Sequence, residues 1–237
     1  MDLVLPEGFT TLGEYSFSGT GITSVSLPEG VVTIPGYCFS SCSSLTQVSL
    51  PSTIQSVGTY AFSGCEWLGN VTNLDLLSSI GKYAFSGCSS ITKVTLSNNL
   101  TTMGEYAFYN CSGIKELTVP VKFSDTYRFR GCSGLETIHY LKGSTGVMPG
   151  RSGGYPSENT YYMNSGEYAS RAVLRSVDFE EGVTYIGEYA FYGCDLTSVS
   201  LPSTLQTVGS SAFRGQSNLV MDLVLPEGFT TLGEYSF

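Results

Sequence analysis

Residues 45 to 65 read LTQVSLPSTIQSVGTYAFSGC, and this phrase returns along most of the 237-residue chain at intervals of about 23 residues. A unit repeated every 20 to 50 residues or so indicates stacked coils, because no single unit can bury its apolar face alone. The chain is therefore predicted to be a solenoid in which each coil packs against its neighbours.

Two residue types keep a fixed place in successive coils and are predicted to fill the interior as columns. The phenylalanines of this column include Phe62, Phe85 and Phe108. The cysteines of the second column include Cys42, Cys65, Cys88 and Cys111. Because a free thiol packs as a small apolar group, a buried column of reduced cysteines is favoured. Cys38 lies four residues before Cys42, so a local disulfide between these two is the alternative.

The first half of the quoted phrase alternates in the manner of a strand. Val48 and Leu50 are predicted to point inward and Gln47 and Ser49 outward, since successive side chains of a strand lie on opposite faces. Pro51 ends the strand, because proline has no N–H to continue a ladder. Stacked coils would then form a parallel sheet. No helix of ten or more residues is indicated, so the return side is expected to be short turns, 3₁₀ pieces or small strands.

Two further stretches repeat the phrase, ITSVSLPEGVVTIPGYCFSSC at residues 22 to 42 and YAFYGCDLTSVSLPSTLQTVG at residues 189 to 209. In this form the chain resembles the BspA-like subclass of the leucine-rich repeats, which occurs in surface proteins of bacteria and protozoa. The resemblance covers nearly the whole chain except residues 141 to 172. It implies a right-handed leucine-rich-repeat superhelix of about ten coils, with a parallel β-sheet on the concave face, little α-helix, and a role in surface adhesion.

A column of tyrosines precedes the phenylalanines by two residues. Its members are Tyr15, Tyr37, Tyr60, Tyr83, Tyr106, Tyr127, Tyr189 and Tyr235. Stacked rings that bury their faces and leave their hydroxyls in water are predicted, since tyrosine combines an apolar ring with a polar end.

The composition excludes several classes of function. With 20 acidic and 11 basic residues and a net charge of -9, the chain would repel phosphate backbones, so no nucleic-acid partner is predicted. His139 is the only histidine, and no CxxC pair occurs. The chain is therefore expected to be no enzyme and to hold no metal and no cofactor. No apolar run reaches the length of about 18 residues that a membrane span needs.

The ends of the chain repeat each other. Residues 221 to 237 are identical to residues 1 to 17, so we expect a single solenoid domain over residues 1–237 that is a fragment of a larger array. An added partial coil that covers an exposed end is the alternative. End-to-end self-association through uncapped coils is expected with either origin. The N-terminus has no signal-peptide pattern, whereas the abundance of Ser, Thr and Gly favours an extracellular or cell-surface location.

The outward strand positions carry mostly Ser and Thr, and four residues interrupt this row: Lys93, Glu116, His139 and Asp178. We predict that they contact a ligand, because solenoid sheet faces bind extended partners. The alternative is that Ser and Thr simply suit an exposed strand.

An insertion at residues 141 to 172 lengthens one coil and is rich in Gly and Tyr. Its tyrosines include Tyr155, Tyr161, Tyr162 and Tyr168, which offer large contact areas at low cost in conformational entropy. Since long loops on rigid scaffolds often carry function, a binding role is predicted. The alternative is a loop that only bridges an irregular coil.

These features together favour a non-catalytic recognition or adhesion module that binds an extracellular protein or glycan of a host or neighbouring cell. The alternative function is a structural spacer that projects another domain from the cell surface. The recurrence of the first 17 residues at the end of the chain favours this second hypothesis.

Overall fold

The structure of the chain, a computed structural model, describes residues 1–124, 127–149, 174–220 and 224–237. These residues form two compact units. The first consists of Met1–Ile114 with Arg128–Ser133, and the second of Lys115–Tyr127 with Gly134–Phe237. The chain is a parallel-strand β-solenoid with turns of about 23 residues and almost no helix, as the repeat predicted. About nine turns are present, slightly fewer than the ten expected.

The first unit contains two rows of short parallel strands. The first row is β1 (Asp2–Val4), β2 (Ser24–Ser26), β4 (Gln47–Ser49) and β6 (Asn70–Val71). The second row, on the return side, is β3 (Thr33–Ile34), β5 (Ser56–Val57), β7 (Ser79–Ile80) and β9 (Thr102–Met103). The unit also contains strand β8 (Lys93–Thr95) and the 3₁₀ helix η1 (Leu74–Leu76).

The second unit repeats this arrangement. Its first row is β10 (Glu116–Pro120), β11 (Thr137–Leu141), β12 (Ser176–Phe179) and β14 (Ser198–Ser200). Its return row is β13 (Tyr185–Ile186), β15 (Thr207–Val208) and β16 (Thr231–Leu232). A 3₁₀ helix, η2 (Val121–Phe123), follows β10 directly. Short strands and 3₁₀ pieces on the return side confirm the prediction made from the repeat.

Within each sheet, a strand pairs in register with the equivalent strand of the neighbouring coil. Val25 pairs with Val48, and Val48 pairs with Val71, so equivalent residues of successive coils stack directly. Val25 and Val48 are buried. This register keeps the apolar residue of each strand inside and its polar neighbours outside, because a shift by one residue would reverse the two faces.

The interior of each unit contains a stack of phenylalanine rings. In the first unit the rings of Phe62 and Phe85 lie 5.3 Å apart between centroids, and those of Phe85 and Phe108 lie 5.0 Å apart. All three side chains are completely buried. Parallel rings at this distance gain about 0.5 to 1.5 kcal/mol per pair beyond the burial of their area. The ring stack therefore provides a continuous apolar contact between one coil and the next.

Glycines mark the places where the backbones of successive coils approach most closely. A Cβ atom added to Gly81 would lie 2.5 Å from backbone atoms of Gly58 and Thr59. One added to Gly58 would lie 2.6 Å from the nitrogen of Gly36. No side chain fits at such distances without a shift of the backbone, so Gly58 and Gly81 cannot be replaced without such a shift.

Candidate functional site

The first row of strands in the first unit is interrupted after β6. Strands β1, β2, β4 and β6 are hydrogen-bonded neighbours, but β8 does not continue their sheet. The two coils do meet on either side of this point. The Ser90 N–H donates to Glu66 O at 3.1 Å, and the Ser97 hydroxyl donates to Asp75 O at 2.6 Å. The interruption is therefore a local opening between β6 and β8, and the two coils are hydrogen-bonded before and after it along the chain.

Asn73 explains why β6 ends early. In the preceding coil, Leu50 is buried and Pro51 ends the strand, whereas Asn73 and Leu74 occupy these two places. Asn73 adopts a left-handed conformation with φ of 61°, and its side-chain amide donates to Leu50 O at 2.6 Å. Asparagine tolerates this conformation better than most residues with a side chain. The chain therefore turns away from the strand direction and enters η1.

The opening between β6 and β8 is a groove with a volume of about 300 Å³. Its lining is mostly polar and consists of Gly69, Asn70, Val71, Asn73, Leu74, Asp75, Thr92, Lys93 and Thr95. Lys93 is the only one of these residues that sequence reasoning selected as a binding residue. The signal for the others was visible in the sequence, because Asn73 and Leu74 replace the Leu-Pro pair of the regular coils.

Strands β10, β11, β12 and β14 of the second unit form a continuous ladder, with a contact between an imidazole and a carboxylate on its exposed face. His139 on β11 pairs in register with Asp178 on β12, and His139 Nδ1 lies 2.5 Å from Asp178 Oδ2. The side chains remain 45% and 37% exposed. Since both residues are on strands, the geometry of this pair is fixed by the ladder.

Of the four predicted strand residues, His139 and Asp178 are in direct contact. Glu116 is exposed at the start of β10 and stands in register with Thr137 rather than with His139. Lys93 belongs to the first unit, where it lines the groove, and Glu116, His139 and Asp178 lie on strands of the second unit.

Ion pairs lie immediately before the strands of the second unit. Lys115 Nζ lies 3.1 Å from Glu136 Oε1, and Arg175 contacts Asp195. Hydrogen bonding from the Arg175 guanidinium lowers the pKa of the Asp195 carboxyl below its ordinary value, with a further contribution from Asn218. Exposed pairs of this kind contribute about 0 to 1 kcal/mol to stability. Their main effect is to set the charge pattern beside the strand face.

The cysteines are located in the interior and not on either surface. All seven are buried and free, Cys38 and Cys42 included. The Cys65 thiol donates to Phe39 O at 3.1 Å, and the Cys111 thiol donates to Phe85 O at 3.0 Å. Burial raises the pKa of Cys111 to about 12, so this thiol stays protonated at neutral pH. A protonated, buried thiol is a poor nucleophile and a poor metal ligand.

The tyrosine column is stacked, with one feature that the sequence did not indicate. Ring centroids of Tyr37 and Tyr60, and of Tyr60 and Tyr83, lie 4.9 Å apart. Each of these tyrosines has a positive φ of 54° to 56°, a region that non-glycine residues rarely adopt. The conformation allows the N–H of Tyr37 to donate to Thr59 O at 2.9 Å in the next coil. Hydrogen bonding between coils and ring stacking offset the conformational cost.

Only the first part of the insertion belongs to the described residues. There the Lys142 N–H donates to Glu180 Oε2 at 2.8 Å, and Val147 forms a parallel bridge with Tyr185. The insertion therefore begins as part of the stack. The predicted binding residues Tyr155, Tyr161, Tyr162 and Tyr168 lie outside the described residues.

In the part of the chain that the structure describes, no group of three or more His, Cys, Asp or Glu side chains could hold a metal ion. Nor does any helix among these residues have the length and apolar character to cross a membrane.

Comparison with protein families gives a match over most of the chain. The model for the BspA type leucine rich repeat region matches in six copies, over residues 2–76, 68–147 and 157–237. The chain belongs to the BspA-type leucine-rich repeat family. The resemblance noted from the repeated phrase is thereby confirmed, and the Cys and Phe columns are features of this BspA-type chain.

Solved structures similar to this BspA-type chain are bacterial leucine-rich repeat proteins. One from Bacteroides ovatus is 26% identical, with a TM-score of 0.65, and the match covers 98% of this chain and 56% of that one. One from Eubacterium ventriosum is 19% identical, with a TM-score of 0.50 over 96% of this chain and 67% of that one, and supports the fold alone. The chain thus spans little more than half of the Bacteroides ovatus protein. Comparison with curated proteins found no match.

Proposed function

We propose that this BspA-type leucine-rich repeat protein is a non-catalytic recognition module, located at the cell surface or outside the cell. It binds a protein or glycan of a host or neighbouring cell. The observation that carries the proposal is the strand face of the second unit, where His139 and Asp178 form an exposed polar contact on adjacent strands.

This face has the rigidity that recognition requires. Neighbouring strands are spaced by the ladder at about 4.8 Å, and the Ser198 hydroxyl donates a hydrogen bond of 2.8 Å to the Ser176 hydroxyl beside the contact between His139 and Asp178. A partner therefore meets polar groups whose positions are already fixed, so little conformational entropy is lost on binding.

The surroundings of His139 support binding rather than catalysis. In a hydrolase the imidazole would orient toward a nucleophile on one side and an acidic residue on the other. Here, among the described residues, the Asp178 carboxylate is the charged partner of His139, and no hydroxyl or thiol is hydrogen-bonded to the imidazole. The pair offers charge and hydrogen-bonding groups to a ligand.

The experiment measures adhesion of beads coated with the purified chain to cultured cells and to immobilised extracellular-matrix protein. The double variant His139→Ala/Asp178→Ala should reduce the number of bound beads several-fold, because it removes the imidazole and the carboxylate from the face. The matched control, Ser24→Ala/Ser26→Ala, changes outward residues of the regular strand β2 and should leave adhesion unchanged.

A second arm tests the insertion, with Tyr155, Tyr161, Tyr162 and Tyr168 replaced together by Ser. Reduced adhesion in this variant would assign part of the contact to the insertion. If neither the strand variant nor the insertion variant changes adhesion, or if the chain itself does not adhere, the recognition proposal is wrong and the spacer function is favoured.

A further inference from the structure

We propose that the groove between β6 and β8 is a binding subsite for a neutral saccharide of one or two rings. This inference deepens the recognition role proposed above and rests on it. It names both the ligand class and the site, which is located in the first unit and separate in sequence from His139 and Asp178.

The groove presents a balanced set of charges and polar groups. It is lined by one carboxylate, Asp75, and one ammonium group, Lys93, so it has no net charge that would select an anion or a cation. The side chains of Asn70, Thr92 and Thr95, which also line it, each both donate and accept hydrogen bonds. Sugar hydroxyls likewise donate and accept, so a neutral polyhydroxylated ligand matches this lining.

The dimensions of the groove favour a compact ligand over an extended peptide. Its volume of about 300 Å³ is at the lower end of the range for small-molecule sites, about 300 to 1,000 Å³. The hydrogen bonds from Ser90 to Glu66 and from Ser97 to Asp75 join the two coils before and after the groove along the chain. A peptide strand added to the edge of β6 would have to continue past both of these contacts.

The wall formed by the β6 coil is held in place before any ligand arrives. The Thr72 N–H donates to Val48 O at 3.1 Å, and the Asn73 amide donates to Leu50 O at 2.6 Å. The Leu77 N–H closes η1 by donating to Leu74 O at 3.3 Å. Because these bonds tie the wall to the regular coil before it, the polar groups do not have to be ordered on binding.

The test is an NMR titration of the full chain with neutral hexoses, N-acetylhexosamines and their disaccharides, with glucosamine and glucuronic acid as charged probes. At least one neutral sugar should bind with a dissociation constant in the millimolar range. The shifts should concentrate on the backbone amides of residues 69–75 and 92–95. The charged probes should bind more weakly than the corresponding neutral sugar.

Two single substitutions and one matched control define the site. Asn70→Ala and Asp75→Ala should each weaken binding by about tenfold, since each removes hydrogen-bonding groups from the lining. Gln47→Ala should leave binding unchanged, because Gln47 occupies the place of Asn70 in the preceding coil, where β4 and β6 are paired.

A third variant closes the groove. Asn73→Leu with Leu74→Pro restores the Leu-Pro pair of the regular coils and should allow β6 to extend and pair with β8. Saccharide binding should then be lost while the melting temperature is maintained. If this variant does not fold, the two single substitutions still decide the question.

The inference is overturned if no neutral sugar binds, if a charged probe binds more tightly than its neutral counterpart, or if binding survives Asn70→Ala and Asp75→Ala. A chain that binds no sugar but adheres to cells through His139 and Asp178 would exclude the saccharide site and leave the recognition proposal intact. A chain that neither binds sugar nor adheres would exclude both.

Discussion

Coils 45–67 and 68–90 are neighbours in the first unit, and the difference between their structures is confined almost entirely to the strand side. Both place a completely buried phenylalanine and a completely buried cysteine in the interior, and their return strands β5 and β7 are paired. On the strand side, Leu50 is buried in the first coil, while Asn73 turns the chain out of the sheet in the second. The interior and return sides therefore hold the stack together, and the strand side can change without disturbing them.

The largest effect is expected in the interior, where the two coils have the same structure. Phe62→Ala and Phe85→Ala should each cost about 3 to 5 kcal/mol of the free energy of unfolding, because each leaves a cavity in a closely packed ring stack. The two losses should be equal within about 1 kcal/mol, measured by denaturant unfolding. Tyr83→Phe is the control and should cost much less, since it retains the ring. A Phe85 variant markedly milder than the Phe62 variant would mean that the interrupted coil is loosened throughout.

A smaller effect on stability is expected on the strand side, where the two coils differ. Asn73→Ala should cost about 1 to 2 kcal/mol, because alanine tolerates the left-handed conformation less well and loses the hydrogen bond to Leu50 O. Asn73→Gly keeps the conformation and loses only the hydrogen bond, so it should cost less than alanine.

Thermal unfolding measures both Asn73 variants, and Asn70→Ala, on the exposed face of the same coil, serves as the control with a change within about 0.5 kcal/mol. Equal stability of the Asn73→Ala variant and the unchanged chain would show that the left-handed turn at Asn73 does not determine the end of β6.

The smallest expected effect concerns the buried cysteines, which should not react with a thiol reagent in the folded protein. Burial raises the pKa of Cys88 well above its ordinary value, so at pH 8 its thiolate is too scarce for attack. Neither Cys65 nor Cys88 should react with a thiol reagent in the folded protein, whereas all seven cysteines should react in guanidinium chloride. Peptide mapping by mass spectrometry locates the modified residues. Rapid modification of Cys88 alone would show that the interrupted coil admits reagent to the interior.

Burial of the Cys111 thiol predicts how the stability of the protein depends on pH. Thiols in the unfolded chain ionise near pH 9, whereas the folded-state pKa of Cys111 is about 12. The unfolded state therefore releases protons first as the pH rises, and the stabilising contribution present below pH 9 is lost progressively between about pH 9 and pH 12.

The parts of the fold that depend on repeated apolar contacts could be predicted from the sequence. Phe62 and Cys65 recur at fixed spacing because each coil must bury the same positions against its neighbours, and this periodicity is visible without a structure. The left-handed conformation of Tyr60 could not be predicted. It depends on where the N–H groups of one coil meet the carbonyl groups of the next, and the side-chain pattern does not encode that contact.

The candidate site was only partly predictable for a related reason. Lys93 stood out because it interrupts a row of Ser and Thr. The groove, however, arises from the way Asn73 alters the backbone and not from an unusual side chain on the surface. His139 and Asp178 could be placed on the outward face by alternation, but their contact depends on the pairing of β11 with β12 across the insertion. In the sequence alone the two residues are 39 positions apart, and nothing indicates that they are in contact.

The close approach at Gly58 and Gly81 bears on how such a chain can change in length. Any substitution at either glycine forces a side chain against the backbone of the coil before it. A duplicated or deleted coil, in contrast, carries its own glycine and presents the same backbone to both neighbours. Gly58 and Gly81 should therefore accept very few point mutations, whereas the gain or loss of a whole regular coil keeps the close approach between its neighbours.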